Sequence, residues 1–271
     1  MRRFHLAVTA ALVWAFTTMA AFAQGVGSDA ARAILNLNAH DVAVEDAERW
    51  LTTPEFDDRV FRIAWISAAS GLFQAEEVME ITSSILGDTL AEPAAAELLQ
   101  FFGDDLGQQL TLAEKATQVE GYDNEAAVAR GARILAVEPQ RREKFDRLHT
   151  AFQLNAGADI SREVTASARF AVIKSQLAQR GEVSDDAVIL ALAYQGLEID
   201  EARDREESIM RYAYTYRDVT DEGVLAYADM LESDAGQAFY TAINAGYERV
   251  IIRDLMLFRD RLARNLSAQE L

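Results

Sequence analysis

The chain has 271 residues, no cysteine and a formal charge of −18. Without cysteine, disulfide frameworks and thiolate metal sites are excluded, and stability has to come from a packed core. A chain this acidic repels nucleic acid and anionic lipid headgroups in general, although a local basic patch is still compatible with that charge.

The N-terminus reads MRRFHLAVTAALVWAFTTMAAFAQ. Arg2 and Arg3 make it positive, residues 6–21 carry no charge, and Ala21-Phe22-Ala23 precedes Gln24. These are the three parts of a secretory signal peptide, with cleavage at Ala23/Gln24. The competing reading is a membrane anchor, but the apolar run is short for a span. The paired arginines match a twin-arginine signal only weakly, and no cysteine follows to carry a lipid. The expectation is a signal peptide over 1–23 and a periplasmic or secreted mature protein with no transmembrane segment.

Beyond Gln24, apolar residues recur at helical spacing and no run alternates like a strand. Thr53 followed by Pro54 predicts a helix start, with Val60, Ile63 and Ala64 on one face. A second helix is expected over 74–86, stopped by Gly87. Pro93 opens a third, with Leu98, Leu99, Phe101 and Phe102 apolar. Pro139 opens another, with Phe145, Leu148 and Phe152 on one face. Loops are expected at QVEGYDNEAA and LNAGADIS. A helix over 160–179 ends at Gly181, and Ser184 starts one that ends at Gly196. A charged helix then runs to Tyr216, Thr220 caps the next, and the final helix covers 234–266. In YAYTY, Tyr212 and Tyr216 share a face with Ile209 and Ala213, and Tyr214 points away. A core face explains these rings better than a sugar-stacking strip.

One pattern occurs twice. FFGDDLGQQL fills 101–110 and MLESDAGQAF fills 230–239. Asp104 pairs with Ser233, Asp105 with Asp234, Gly107 with Gly236 and Gln108 with Gln237. Asp104 and Ser233 are N-cap types, and Asp105 and Asp234 suit a first helical turn. Glycine inside a helix costs about 1 kcal/mol against alanine, so Gly107 and Gly236 imply close approach of the preceding helix. The pattern therefore predicts a helix–turn–helix corner used twice. The fold class is all-α, a multi-helix bundle of two related helical units at 24–156 and 157–271.

MLESDAGQAF resembles the signature of secreted bacterial proteins grouped as "domain of unknown function 2059". The match falls on Leu231, Ser233, Gly236 and Gln237, with Thr220-Asp221-Glu222 similar to the family's upstream helix start. FFGDDLGQQL resembles it too, with Asp104 in place of serine. The resemblance implies an all-helical secreted protein and supplies no catalytic residue, cofactor or metal ligand.

The residues carry little catalytic chemistry. The mature chain holds two histidines, His40 and His149, and no zinc, calcium, P-loop or nucleophile-elbow motif. Asp146 and His149 are three apart on a helix, a spacing that suits an ordinary surface pair better than an oriented base. Acid pairs are unavoidable among 44 acidic residues, and capping already explains Asp105 and Asp234. EIDEARDREE reads as a solvated helix face, and the apolar arc of RVIIRDLMLFRDRLARNL as a core face or a docking face. The expected function is a non-catalytic binding or scaffolding module of the cell envelope, with another envelope protein or itself as partner. The alternatives are a carboxylate-dependent glycan hydrolase and a carrier of a small apolar ligand.

The exported form should begin at Gln24, which its intact mass will show. A product retaining Met1 contradicts the signal peptide. Reducing agent should leave the melting temperature unchanged.

Overall fold

The computed structural model describes residues 25–268 apart from 55, 120–123, 158 and 199. The signal-peptide segment and part of the first expected loop lie outside the described residues. Every regular element among the described residues is helical. The chain runs α1 (Ser28–Leu37), α2 (His40–Thr52), α3 (Arg59–Ala69), α4 (Ala75–Thr89), α5 (Glu92–Gly103), α6 (Asp105–Val119) and α7 (Asn124–Val137). A 3₁₀ turn at Pro139–Arg141 leads into α8 (Arg142–Leu154), then α9 (Ile160–Gln179), α10 (Asp186–Tyr194), α11 (Glu201–Thr215), α12 (Asp221–Glu232) and α13 (Asp234–Tyr247). A π-helical turn at Glu248–Ile252 joins α13 to α14 (Arg253–Ala268), so the expected last helix is one rod with an inserted turn. Among the described residues no helix is long and apolar enough to cross a membrane.

The caps show why the helices start where they do. Thr220 Oγ1 accepts from Gly223 N and Ser233 Oγ from Gly236 N, both at 3.1 Å. Asp carboxylates cap α3, α9, α10 and α11. Two expected starts move as a result. Thr53-Pro54 follows the end of α2, and Asp58 starts the next helix by accepting from Val60 N and Phe61 N. Asp185, not Ser184, caps α10, because its carboxylate reaches Ala187 N at 2.8 Å. Gly181 ends α9 with φ +68, and Glu182 N reaches back to Leu177 O at 2.9 Å, which closes the last turn.

Gly87 is a correction of another kind. It lies inside α4, where a Cβ would sit 2.6 Å from the Gly27 carbonyl carbon. Its role is close approach of the chain just before α1, not helix termination. Tyr214 also differs from expectation. It faces away from Tyr212, yet it is buried under the guanidinium groups of Arg130 and Arg217.

The recurring stretches form two tight corners, α5–α6 and α12–α13. A Cβ on Gly107 would lie 1.9 Å from Phe101 O, and one on Gly236 would lie 2.0 Å from Met230 O. Gln108 Nε2 donates to Phe102 O, and Gln237 Nε2 donates to Glu232 O at 2.9 Å. The corners pack on each other, with Phe102 and Phe239 ring centres 5.4 Å apart.

The rod α13–α14 is the spine. Its first half packs on α4 and α5, and its second half on α3 and α9. The other half of the bundle runs from α12 to α8, then α11, then α7. One hydrophobic cluster joins Phe102 and Phe145 to Phe239 and Phe258, across the expected boundary at Gly157. That boundary is a loop tied to the spine: Asn244 Nδ2 donates to Asn155 O at 2.7 Å.

Substitution at the corners gives a direct test. Gly107→Leu and Gly236→Leu must push backbone apart, and overpacking of this kind costs about 1–3 kcal/mol or more. Asp105→Asn and Asp234→Asn remove only a solvent-screened dipole interaction. Thermal melts should therefore rank both leucine variants clearly below both asparagine variants.

Candidate functional site

The corner residues line none of the cavities described below. Asp104, Asp105, Asp234 and Gln237 are exposed, while Gln108 and Ser233 are half-buried and spend their polar atoms on the corners. The structure instead opens a cavity of about 390 Å³ between α2, α6, α11, α12 and α13. That volume suits a small molecule.

Glu114, on α6, is the one acid among the described residues lining the cavity. Tyr216 OH donates to Glu114 Oε1 at 2.7 Å, and Tyr227 OH donates to the same oxygen at 3.0 Å. Tyr240 OH lies 3.2 Å from Tyr227 OH. A phenol has one proton. With the Tyr227 proton committed to the carboxylate, Tyr240 must donate to Tyr227. The result is a directed relay from Tyr240 through Tyr227 to Glu114. Burial raises the Glu114 pKa, and the two phenol bonds only partly oppose this. Burial, reinforced by the Glu114 charge, pushes the Tyr216, Tyr227 and Tyr240 hydroxyls well up, so they stay protonated donors.

Several elements hold this group in place. The buried Arg141 guanidinium binds Asp221 at 2.8 Å and the carbonyls of Val219, Arg217 and Tyr216 at 2.6, 3.2 and 3.4 Å. It thereby fixes the turn between α11 and α12, where Tyr216 sits. Gln109 Nε2 ties α6 to the same turn through Asp218 O at 3.0 Å. On the opposite wall, Ala39 adopts a left-handed conformation at φ 60 and His40 begins α2. The His40 ring meets Tyr247 edge-on at 5.5 Å, and its Nε2 is buried without a hydrogen-bond partner. Burial lowers the His40 pKa to about 4, so the imidazole is neutral at physiological pH. The π-helical turn starts immediately after Tyr247, and such turns are frequent at functional sites.

The Asp146 and His149 pair is differently arranged. Asp146 makes two 2.8 Å bonds to Arg205, so it does not orient the imidazole. His149 lines a more polar hollow with Asp159, Glu201 and Asp204. No cluster of three or more potential metal ligands occurs among the described residues.

Sequence reasoning missed Glu114, Tyr227, Tyr240, His40 and Tyr247 as a group. Their one shared signal is a polar or aromatic residue on the buried face of an otherwise apolar helix. Fold and site together define an all-helical protein with a tyrosine-walled cavity around a half-buried acid. Comparison with family models, curated proteins and solved structures finds no match.

Titration gives two opposite expectations. The folded pKa of His40, about 4, lies below the ordinary 6.5, so its contribution is full above pH 6.5 and is lost as pH falls through 4. Chemical denaturation should show a loss on the order of 2–3 kcal/mol across that window, and His40→Phe should flatten it. Glu114 has the reverse sign: its pKa is raised, so its contribution is lost as pH rises through the folded value. Glu114→Gln should therefore stabilise the ligand-free protein at neutral pH.

Proposed function

We propose that this is a non-catalytic binding protein that acts outside the cytoplasm and holds a small molecule in the cavity between its helices. One observation carries the reading: the Glu114 carboxyl and its tyrosines line a cavity of about 390 Å³ rather than a closed core. A carboxyl drawn partly out of water costs stability unless something compensates for it. A site that accepts this cost in the free protein is explained by a ligand that recovers it. The Ala21-Phe22-Ala23 signal supports an extracytoplasmic location. The resemblance to domain of unknown function 2059 agrees with a secreted helical protein. The glycan-hydrolase alternative has less support at this cavity, because it needs two acids facing one cleft and Glu114 is the single acid among the described residues lining it; the hollow beside His149 holds three acids, Asp159, Glu201 and Asp204, of which Asp159 is spent capping α9.

The test is ligand protection. Small-molecule extract from the envelope should raise the melting temperature of the purified protein, and native mass spectrometry should show the adduct. Ala43→Phe narrows the cavity and should abolish both effects. If the wild type and Ala43→Phe respond identically, the cavity is not a binding site.

A further inference from the structure

We infer that the ligand of this cavity is a small organic cation, paired with the Glu114 carboxylate and packed against the faces of the surrounding aromatic rings. The inference rests on the binding reading above and adds the chemical class.

The charge comes first. Burial and the bonds from Tyr216 and Tyr227 set the ionisation of Glu114, and no lysine or arginine contributes to it. Two cations also line the cavity, and neither forms an ion pair with Glu114. Lys115 is the next residue on α6, about 100° around the helix from Glu114. Arg211 is engaged along its own helix by Ser208 Oγ at 2.5 Å and Asp204 at 3.9 Å. The Glu114 carboxyl is thus hydrogen-bonded by neutral phenols and forms no direct ion pair with a described residue.

The walls come second. Phe152, Tyr212, Tyr216, Tyr227, Tyr240 and Tyr247 all line the cavity. Aromatic faces carry negative quadrupole potential and attract cations, most strongly where water is excluded. Phe152 and Tyr212 stack at 5.4 Å, and Tyr216 meets Tyr227 edge-on at 6.0 Å. These are rigid surfaces suited to an ammonium group. The unpartnered Nε2 of His40, a residue 4% exposed, offers a neutral hydrogen-bonding atom for a further polar group of the ligand.

The other ligand classes fit less well. An anion would have to enter against the field of a −18 protein, although Lys115 and Arg211 stand in the lining. A purely apolar molecule would leave the carboxyl buried against it without compensation.

Three probes of one size and shape separate these cases: choline, 3,3-dimethylbutan-1-ol and 3,3-dimethylbutyrate. Isothermal titration should show choline binding at least about tenfold tighter than the alcohol, in line with ion-pair and cation–π contributions. The butyrate should bind weakest. Glu114→Gln should remove the preference, so that choline and the alcohol bind alike. Tyr240→Leu should weaken choline about tenfold, while Tyr240→Phe, which keeps the ring face, should stay within about threefold. Melting curves confirm that each variant is folded. If the alcohol binds as tightly as choline, the cation inference fails and the binding reading stands. The cation inference fails in the same way if no probe binds while envelope extract still protects the wild type. If neither probes nor extract have any effect, both readings fail.

Discussion

Backbone meets backbone at Gly107 and Gly236, and much of the architecture follows from that contact. In each case the carbonyl of the preceding helix lies about where a Cβ would stand. No other residue type permits that approach. The corners it creates bring Phe102 against Phe239 and lay α5–α6 alongside α12–α13. Glu114 sits about two helical turns beyond Gly107. Tyr227 precedes Gly236 and Tyr240 follows it. The relay from Tyr240 through Tyr227 to Glu114 therefore connects the two corners. The recurring glycines lie away from the cavity but set the helix spacing on which its hydrogen bonds depend.

The cavity is also where the backbone departs from regular helix. Ala39 is left-handed with no side-chain cap on α2, and the π-helical turn interrupts the spine just past Tyr247. Phe73 is the other non-glycine residue with positive φ among the described residues, and there the carboxylate of buried Asp254 receives its N–H at 2.7 Å. Strain at Phe73 is thus matched by a specific bond remote from the cavity. Ala39 N donates only to the nearby Asn36 O at 3.1 Å, and the residue lies between Asn38 and His40, which both line the cavity. Non-glycine left-handed residues of this kind concentrate at functional sites. Their placement agrees with a wall shaped for occupancy rather than for maximal stability.

The acid is held by neutral partners throughout. The phenols of Tyr216 and Tyr227 donate to the carboxyl without neutralising it. Elsewhere the protein pairs its charges directly, as with Arg253 on Glu77, Arg205 on Asp146 and Arg141 on Asp221. That contrast sets Glu114 apart from the structural ion pairs.

The sequence by itself determined the class of structure and many of its boundaries. Helical periodicity, the caps at Thr220 and Ser233 and the stop at Gly181 are local signals, written within a turn or two of where they act. The paired corners were legible for the same reason, since a glycine near a helix start constrains residues only a few positions away. Where two local signals competed, sequence reading chose wrongly: Pro54 outranked Asp58, and Gly87 read as a stop because its partner, Gly27, is remote in the chain. The cavity was not legible at all. Glu114 and Tyr227 are 113 residues apart, and Glu114 and Tyr216 are 102 apart. In the sequence, Glu114 is one acid among 44 and the tyrosines are core-like rings. Only the tertiary fold decides which acid is removed from water and which rings surround it. Burial and directed hydrogen bonding depend on long-range packing, and local periodicity carries no record of it.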